Sequence, residues 1–165
     1  MNYSIEINDK QKAIKIIGDT LDLIRENGGG EVLLTDLPLD DTATLKLFQD
    51  GRTIGIFAFE MAKMQRYLRE LCPKNFDQIV LLSMLYYSEK RDDIDRHMVD
   101  ESLSESDADS LPREYAYIAY QSAYLKAHYT ESFMVATIKN HIGNDEWLSV
   151  YMNECKRLGV RIYGL

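Results

Sequence analysis

From Phe57 onward the apolar residues step by four, three, four and three: Phe57, Met61, Met64, Leu68, Leu71. That rhythm lines them along one stripe of an α-helix, with Lys63, Arg66, Arg69 and Glu70 on the opposite face. A strand would need a period of two, so this part of the chain is committed to helix. Pro73 closes the helix, and Asn75 with Gln78 three residues on forms a capping-box start for another. The segment that follows, FDQIVLLSMLYY at 76–87, is apolar nearly all round. It is expected to be the central, most buried element.

The same reading extends in both directions. Asn8 or Asp9 can cap a helix through Lys15, Ile16, Ile17, Leu21 and Ile24 that stops at Asn27 and the glycines Gly28, Gly29 and Gly30. Val32 to Leu34 looks extended. Asp40 with Asp41 starts a short helix through Leu45, Leu47 and Phe48, ended by Gly51. Pro112 suits the first turn of a helix running through Tyr115, Ile118, Ala119, Ser122 and Leu125 to His128. Thr130 caps the next (Phe133, Met134, Thr137, Ile138), and Asn144 caps the last (Trp147, Val150, Tyr151, Leu158), which Gly159 terminates. Tyr3 to Ile7 alternates and Val160 to Tyr163 reads as extended, so the ends could offer a small two- or three-stranded sheet. The fold class expected is mainly α: one compact domain over 1–165 with six to seven helices, its blocks 14–90 and 111–163 joined by an acidic linker, 91–110.

Such a chain can hold its core without staples. At 165 residues and 45% apolar composition it can bury roughly two-thirds of its unfolded surface. Cys72 and Cys155 stand alone, with neither CxxC nor metal-ligand spacing, as suits a reducing compartment. The start MNYSIEINDK has no basic and apolar leader pattern, and the longest mostly apolar run, 79–87, falls far short of the roughly 18 residues of a membrane span. A cytoplasmic location with no membrane partner is expected.

Charge narrows the function classes. The chain carries 19 Lys and Arg against 27 Asp and Glu, a net charge of −8. Residues 92–110 hold eight of those carboxylates and a single Arg, which leaves the rest of the chain close to neutral. Tight nucleic-acid binding draws most of its strength from cations on phosphates, so it is disfavoured here. Catalytic signatures are absent as well: no GxSxG, no GxxxxGK[ST], no GxGxxG, no HExxH. The three consecutive glycines follow a helix and read as a C-cap rather than a phosphate cradle. His97, His128 and His141 are scattered, and Asp92, Asp93 and Asp95 lack the glycine and the closing glutamate of a calcium loop. No metal and no cofactor are expected.

One pattern points the other way. YAYIAYQSAYLKAHY at 115–129 sets Tyr115, Tyr117, Tyr120, Tyr124 and Tyr129 on one helix or its end, with Lys126 and His128 among them. Aromatic rings interleaved with cations can stack bases, although core packing is the commoner use of any one such ring. The candidate nucleic-acid set is therefore Arg66, Arg69, Arg113, Tyr120, Tyr124, Lys126 and His128.

At this helix the chain resembles a known family. YAYIAYQSAYLKAHYTESFMVAT, 115–137, is similar to a stretch in the alpha subunits of bacterial DNA polymerase III, and YMNECKRLGV, 151–160, looks like that family's Y-x-x-E-C-x-x-x-G-I. An earlier block, Leu37 to Tyr86, resembles the family's PLDD…LF…GIFQFES…YLR…ALY segment, and Ile14 to Arg25 resembles the helix before it more weakly. The resemblance implies the end of the palm and the fingers of a replicative polymerase, without the three metal-binding aspartates that lie upstream in the family. It therefore implies a noncatalytic fragment, since two-metal phosphoryl transfer needs those carboxylates. Where the family has the Gln and Ser of FQFES, this chain has Ala58 and Met61; RPGP becomes Ser88 to Arg91, and NKSHA becomes Leu111 to Glu114. The acidic segment stands where the family has the long middle of its fingers, and the resemblance implies no clamp- or DNA-binding module within these residues.

Three readings result. In the first the domain is kept for protein binding, with a replisome protein or the full-length polymerase as partner, or is simply a remnant with a borrowed fold. In the second it binds single-stranded nucleic acid or a nucleotide weakly. In the third the acidic segment, through Asp92, Asp93, Asp95 and Asp100, mimics DNA on a basic partner.

Overall fold

The computed structural model describes residues 3–87 and 111–163. The linker 91–110, and the expectations placed on Asp92, Asp93, Asp95, His97 and Asp100, lie outside the described residues. Within them the chain forms seven α-helices: α1 (Tyr3–Glu26), α2 (Thr42–Gln49), α3 (Ala62–Leu71), α4 (Phe76–Tyr87), α5 (Leu111–His128), α6 (Thr130–Lys139) and α7 (Asp145–Leu158). A 3₁₀ turn at Leu34–Asp36 sits between α1 and α2; of Val32 to Leu34, expected to be extended, Leu33 has extended backbone and Leu34 opens the turn. The mainly α class stands, and no strand occurs among the described residues. Tyr3 to Ile7 belongs to α1. A two-residue alternation needs a neighbouring strand to take its backbone bonds, and Val160 to Tyr163 supplies none, so helix satisfies those groups instead.

Most ends follow the local chemistry. Asp41 caps α2 by accepting from the Thr44 N–H at 2.9 Å. Asn75 accepts from the Gln78 N–H at 3.0 Å to start α4, Asn144 accepts from the Trp147 N–H at 3.3 Å to start α7, and Gly159 ends α7 at φ 72°. The four-three rhythm, however, runs past the true start of α3. Phe57 lies in a loop in which Gly55 and Ala58 are both left-handed, at φ 85° and 68°. The Thr53 hydroxyl donates to Phe59 O at 2.7 Å, and the Gly55 N–H donates to the Glu60 carboxylate at 2.5 Å. Those bonds curl 53–60 tightly enough to bury Ile56, Phe57, Ala58 and Phe59 together. A Cβ on Gly55 would stand 3.1 Å from the Phe133 ring, so a bare backbone is what lets this loop seat against α6.

The central helix is α5, and the expectation for α4 is corrected. Helices α1, α2, α4 and α6 all pack on α5, whereas α4 rests mainly on α5 and touches α3 lightly. Composition explains the exchange. Ala116, Ala119 and Ala123 on α5 are themselves fully buried, and such small side chains let several helices approach it at once. The larger apolar residues of α4 exceed what one neighbour can cover, and Met84 remains 42% exposed. Phe48, Phe59 and Phe133 fill the spaces around α5, each worth roughly 2–3 kcal/mol of burial. Helices from the 14–90 block and the 111–163 block thus share one core.

Candidate functional site

The aromatic and cationic residues expected to meet nucleic acid divide into two groups. Tyr120 and Lys126 face inward, which corrects their place in the set. Tyr120 is 1% exposed and stacks along Phe48 at 6.5 Å; its hydroxyl donates to Pro38 O at 2.6 Å and accepts from the Asp41 N–H at 3.1 Å. Lys126 is 2% exposed, with its ammonium on Arg52 O at 3.2 Å, Ile54 O at 2.7 Å and the Glu154 carboxylate at 2.9 Å. Neither side chain can reach a base or a phosphate without unfolding its surroundings. Burial lowers the pKa of Lys126 against the pull of Glu154. Burial also acts to raise that of Glu154, but the Arg157 guanidinium and the charge of Lys126 outweigh it and hold the carboxyl below its ordinary range. Replacing Tyr120 by Phe keeps the ring and removes both hydroxyl bonds. It is expected to lower stability by about 1–2 kcal/mol, read from urea melts.

The other five remain nearer the surface without converging. The His128 ring meets Tyr124 at 4.4 Å, and its Nε2 lies 2.8 Å from the Asp41 carboxylate that also caps α2. Arg113 spreads over the Phe76 ring at 5.7 Å and donates to Asp77 at 3.2 Å. Fifteen residues separate it from His128, about 22 Å along one helix. Arg66 and Arg69 are exposed on α3, the first over the Tyr67 ring at 5.6 Å and the second beside Gly51.

A different site is better built. Between α1, the 53–61 loop, the end of α4, and the segment from His141 into α7 lies an open cleft of about 220 Å³. Its floor is a chain of three polar groups. The Tyr151 hydroxyl sits 2.8 Å from Glu60 Oε1 and 3.4 Å from His141 Nε2, while His141 Nδ1 lies 2.6 Å from Thr137 O. A carbonyl can only accept, so Nδ1 carries the proton; burial pushes the His141 pKa down, which leaves Nε2 an acceptor. Burial pushes the Glu60 carboxyl up to about 7, against hydrogen bonds from Tyr151 and Gly55. Burial and then the Glu60 charge raise the Tyr151 phenol well above its usual range.

Counting protons makes the floor informative. When Glu60 is ionised, the single phenol proton serves the carboxylate, and His141 Nε2 faces the cleft without a donor. When Glu60 is protonated, its O–H donates to Tyr151 and the phenol donates on to His141, so every group is satisfied. Asp9 and Lys12 stand at the exposed rim, and Phe57, Tyr86 and Trp147 form the walls, with Trp147 stacked on Tyr151 at 5.6 Å. Sequence reading did not single out Glu60, His141 or Trp147 as site residues. The signal available was motif membership, since Glu60 ends FAFE and Tyr151 opens YMNEC. Ala58 and Met61, the two departures from FQFES, line this same cleft. Among the described residues no group of three or more His, Cys, Asp or Glu is placed to hold a metal ion. None of their helices is long and apolar enough to cross a membrane.

The polar bonds also tie the sequence blocks to one another. PLDD is joined to the tyrosine helix through Asp41–His128 and Pro38–Tyr120, that helix to YMNEC through Lys126–Glu154, and YMNEC to FAFE through Tyr151–Glu60. Comparison with known proteins falls on these blocks. The family described as the bacterial DNA polymerase III alpha subunit finger domain matches residues 13–122, two-thirds of the chain. The DNA polymerase III subunit alpha of Saccharopolyspora erythraea is 23% identical over 245 residues, covering 90% of this chain and 20% of the relative. That alignment is longer than the chain's 165 residues, so the relative carries inserted residues within it. The alpha subunits of Aquifex aeolicus (42% identical over 65 residues) and Borreliella burgdorferi (50% over 48) cover 39% and 29% of this chain and 6% and 4% of their own lengths. The chain therefore spans one-fifth or less of these relatives. With its matched motifs bonded to one another across a single helical core, the chain belongs to the family of bacterial DNA polymerase III alpha subunit finger domains.

Proposed function

We propose that this chain is a noncatalytic fingers-type domain that serves DNA replication by binding a protein, either a replisome component or the full-length polymerase. One observation carries the reading: the charged and aromatic residues of the shared motifs are bonded to one another. Lys126, Tyr120, Glu60, Tyr151 and Glu154 hold helices together, so the family likeness supports a retained scaffold rather than a retained catalytic surface. A finger domain is in any case not the seat of phosphoryl transfer in these enzymes.

The test has two parts. Purified protein given magnesium, primed template and deoxynucleotides is expected to extend no primer, and measurable extension would overturn the noncatalytic reading. Titration with purified alpha subunit or whole replisome subassemblies, read by light scattering, is expected to give a stoichiometric complex with one of them. A null result with all would overturn the protein-binding reading.

Weak single-stranded nucleic-acid binding is the second reading. It is favoured by the Arg66–Tyr67 pair and the Tyr124–His128 pair, each a ring beside a basic group within reach of solvent. Binding of labelled single-stranded DNA that grows as salt is lowered and is lost in Arg66→Ala would support it; no affinity at low ionic strength would exclude it.

A further inference from the structure

The cleft floor is rich in acceptors and short of one donor, which says what should bind there. Glu60 and His141 both line the cleft, and with Glu60 ionised its two near donors, the Tyr151 hydroxyl and the Gly55 N–H, are both committed to the carboxylate, which leaves His141 Nε2 without a proton from Tyr151. The walls are apolar and flat: Trp147 lies against the ring of Tyr151, whose hydroxyl reaches Glu60, so a ring surface and an acceptor pair sit within the length of a small molecule. The space fits this scale. A cavity of roughly 150 Å³ holds benzene, and about 220 Å³ leaves room for a ring plus a short tail.

We propose that this cleft binds a small aromatic amine, its ammonium donating to Glu60 and His141 Nε2 and its ring lying against Trp147 and Tyr86. The proposal goes beyond the protein-binding reading and stands independently of it. An alcohol would bring a single donor and no charge; a carboxylate would meet acceptors with acceptors. An ammonium supplies three donors and a positive charge that can enter the cleft itself, where Lys126 acts on Glu60 only from the buried side and Lys12 stands at the rim, with cation–π attraction to the walls in addition. Its binding is coupled to protons. The groups facing Glu60 are Asp9 and Lys12 from α1, Lys126 from α5, His141 beyond α6 and Tyr151 from α7, with Glu154 and Arg157 behind Lys126. A cationic ligand selects the ionised carboxyl, so below neutrality binding must expel the Glu60 proton. Any charge gained by His141 acts in the same direction.

The chain's single tryptophan, Trp147, provides the readout. The probe is 2-phenylethylamine, titrated while indole fluorescence is followed. A saturable change is expected at pH 8. With Glu60 titrating near 7, affinity should fall between about 10- and 100-fold by pH 5. Glu60→Gln should bind at least about 10-fold more weakly at pH 8 and lose the pH dependence, with its circular dichroism unchanged. 2-Phenylethanol binding as tightly as the amine would overturn the proposal, as would wild-type affinity in Glu60→Gln or no saturation at tens of millimolar amine. Tighter binding of n-butylamine, which carries a lysine-like chain, would assign the site to a lysine side chain and overturn the aromatic ligand.

Discussion

Lys126→Ala is expected to lower the unfolding free energy by about 3–5 kcal/mol, enough to threaten folding of a domain this size. Three acceptors lose their donor at once: Glu154, and the carbonyls of Arg52 and Ile54 that flank the turn into the 53–60 loop. Arg157 still reaches Glu154, at 2.9 and 2.5 Å, so the carboxylate keeps one partner and the carbonyls keep none. Lys126→Met fills the space but restores no hydrogen bond, and it should recover only part of the loss. The double variant Lys126→Met with Glu154→Gln should be less damaged than the two single losses added together, with a coupling of roughly 1–3 kcal/mol, because Glu154→Gln alone leaves the Lys126 ammonium buried without its carboxylate and the double variant removes that ammonium. Urea melts of the four proteins close the cycle. A loss below about 1 kcal/mol in Lys126→Ala would mean that the lysine is not part of the scaffold and would reopen its use toward a phosphate.

This result bears on how far the sequence could be read. Caps and periodicity located most of the helices because those signals are local: Asp41, Asn75, Asn144 and Gly159 act within a turn of themselves. Asn8 and Asp9, by contrast, fall inside α1, and Thr130, expected as a cap, lies within α6 with its hydroxyl donating back to Lys126 O. Which face of a helix points inward depends on neighbours far along the chain. On α5, Tyr115 and Tyr120 are buried while Tyr117 is exposed and Tyr124 half-buried, and composition alone could not rank them. Lys126 looked like a ligand for phosphate because an unpaired lysine belongs at the surface, and its pairing with Glu154 spans 28 residues. Glu60 and Tyr151 are 91 residues apart, so nothing short of the fold, or the shared motifs, could bring them together. The apolar run of α4 suggested the centre of the molecule, but centrality went to the alanines of α5, because close approach by many helices needs small side chains more than it needs apolar ones.

Glu60 is the group whose replacement should change the pH response of the whole domain. Its folded pKa, raised from 4.5 to about 7, lies above the unfolded value, so it contributes stability below about pH 4.5 that is lost as pH rises through 7. The shift corresponds to up to about 3 kcal/mol between those limits. Glutamine can accept from the Gly55 N–H through its carbonyl and donate to the Tyr151 oxygen through its amide, as the protonated acid does, without ever ionising. Glu60→Gln is therefore expected to match wild type near pH 4.5 and to exceed it by about 2–3 kcal/mol at pH 8. The difference between the two proteins is the quantity to plot. Asp19, Asp41 and Glu154 are all held below their ordinary values and tilt both curves the opposite way at lower pH, so subtraction removes them. A difference that stays flat from pH 5 to 8.5 would show that the carboxylate is solvated in the fold, and that Tyr151 and His141 do not depend on its proton.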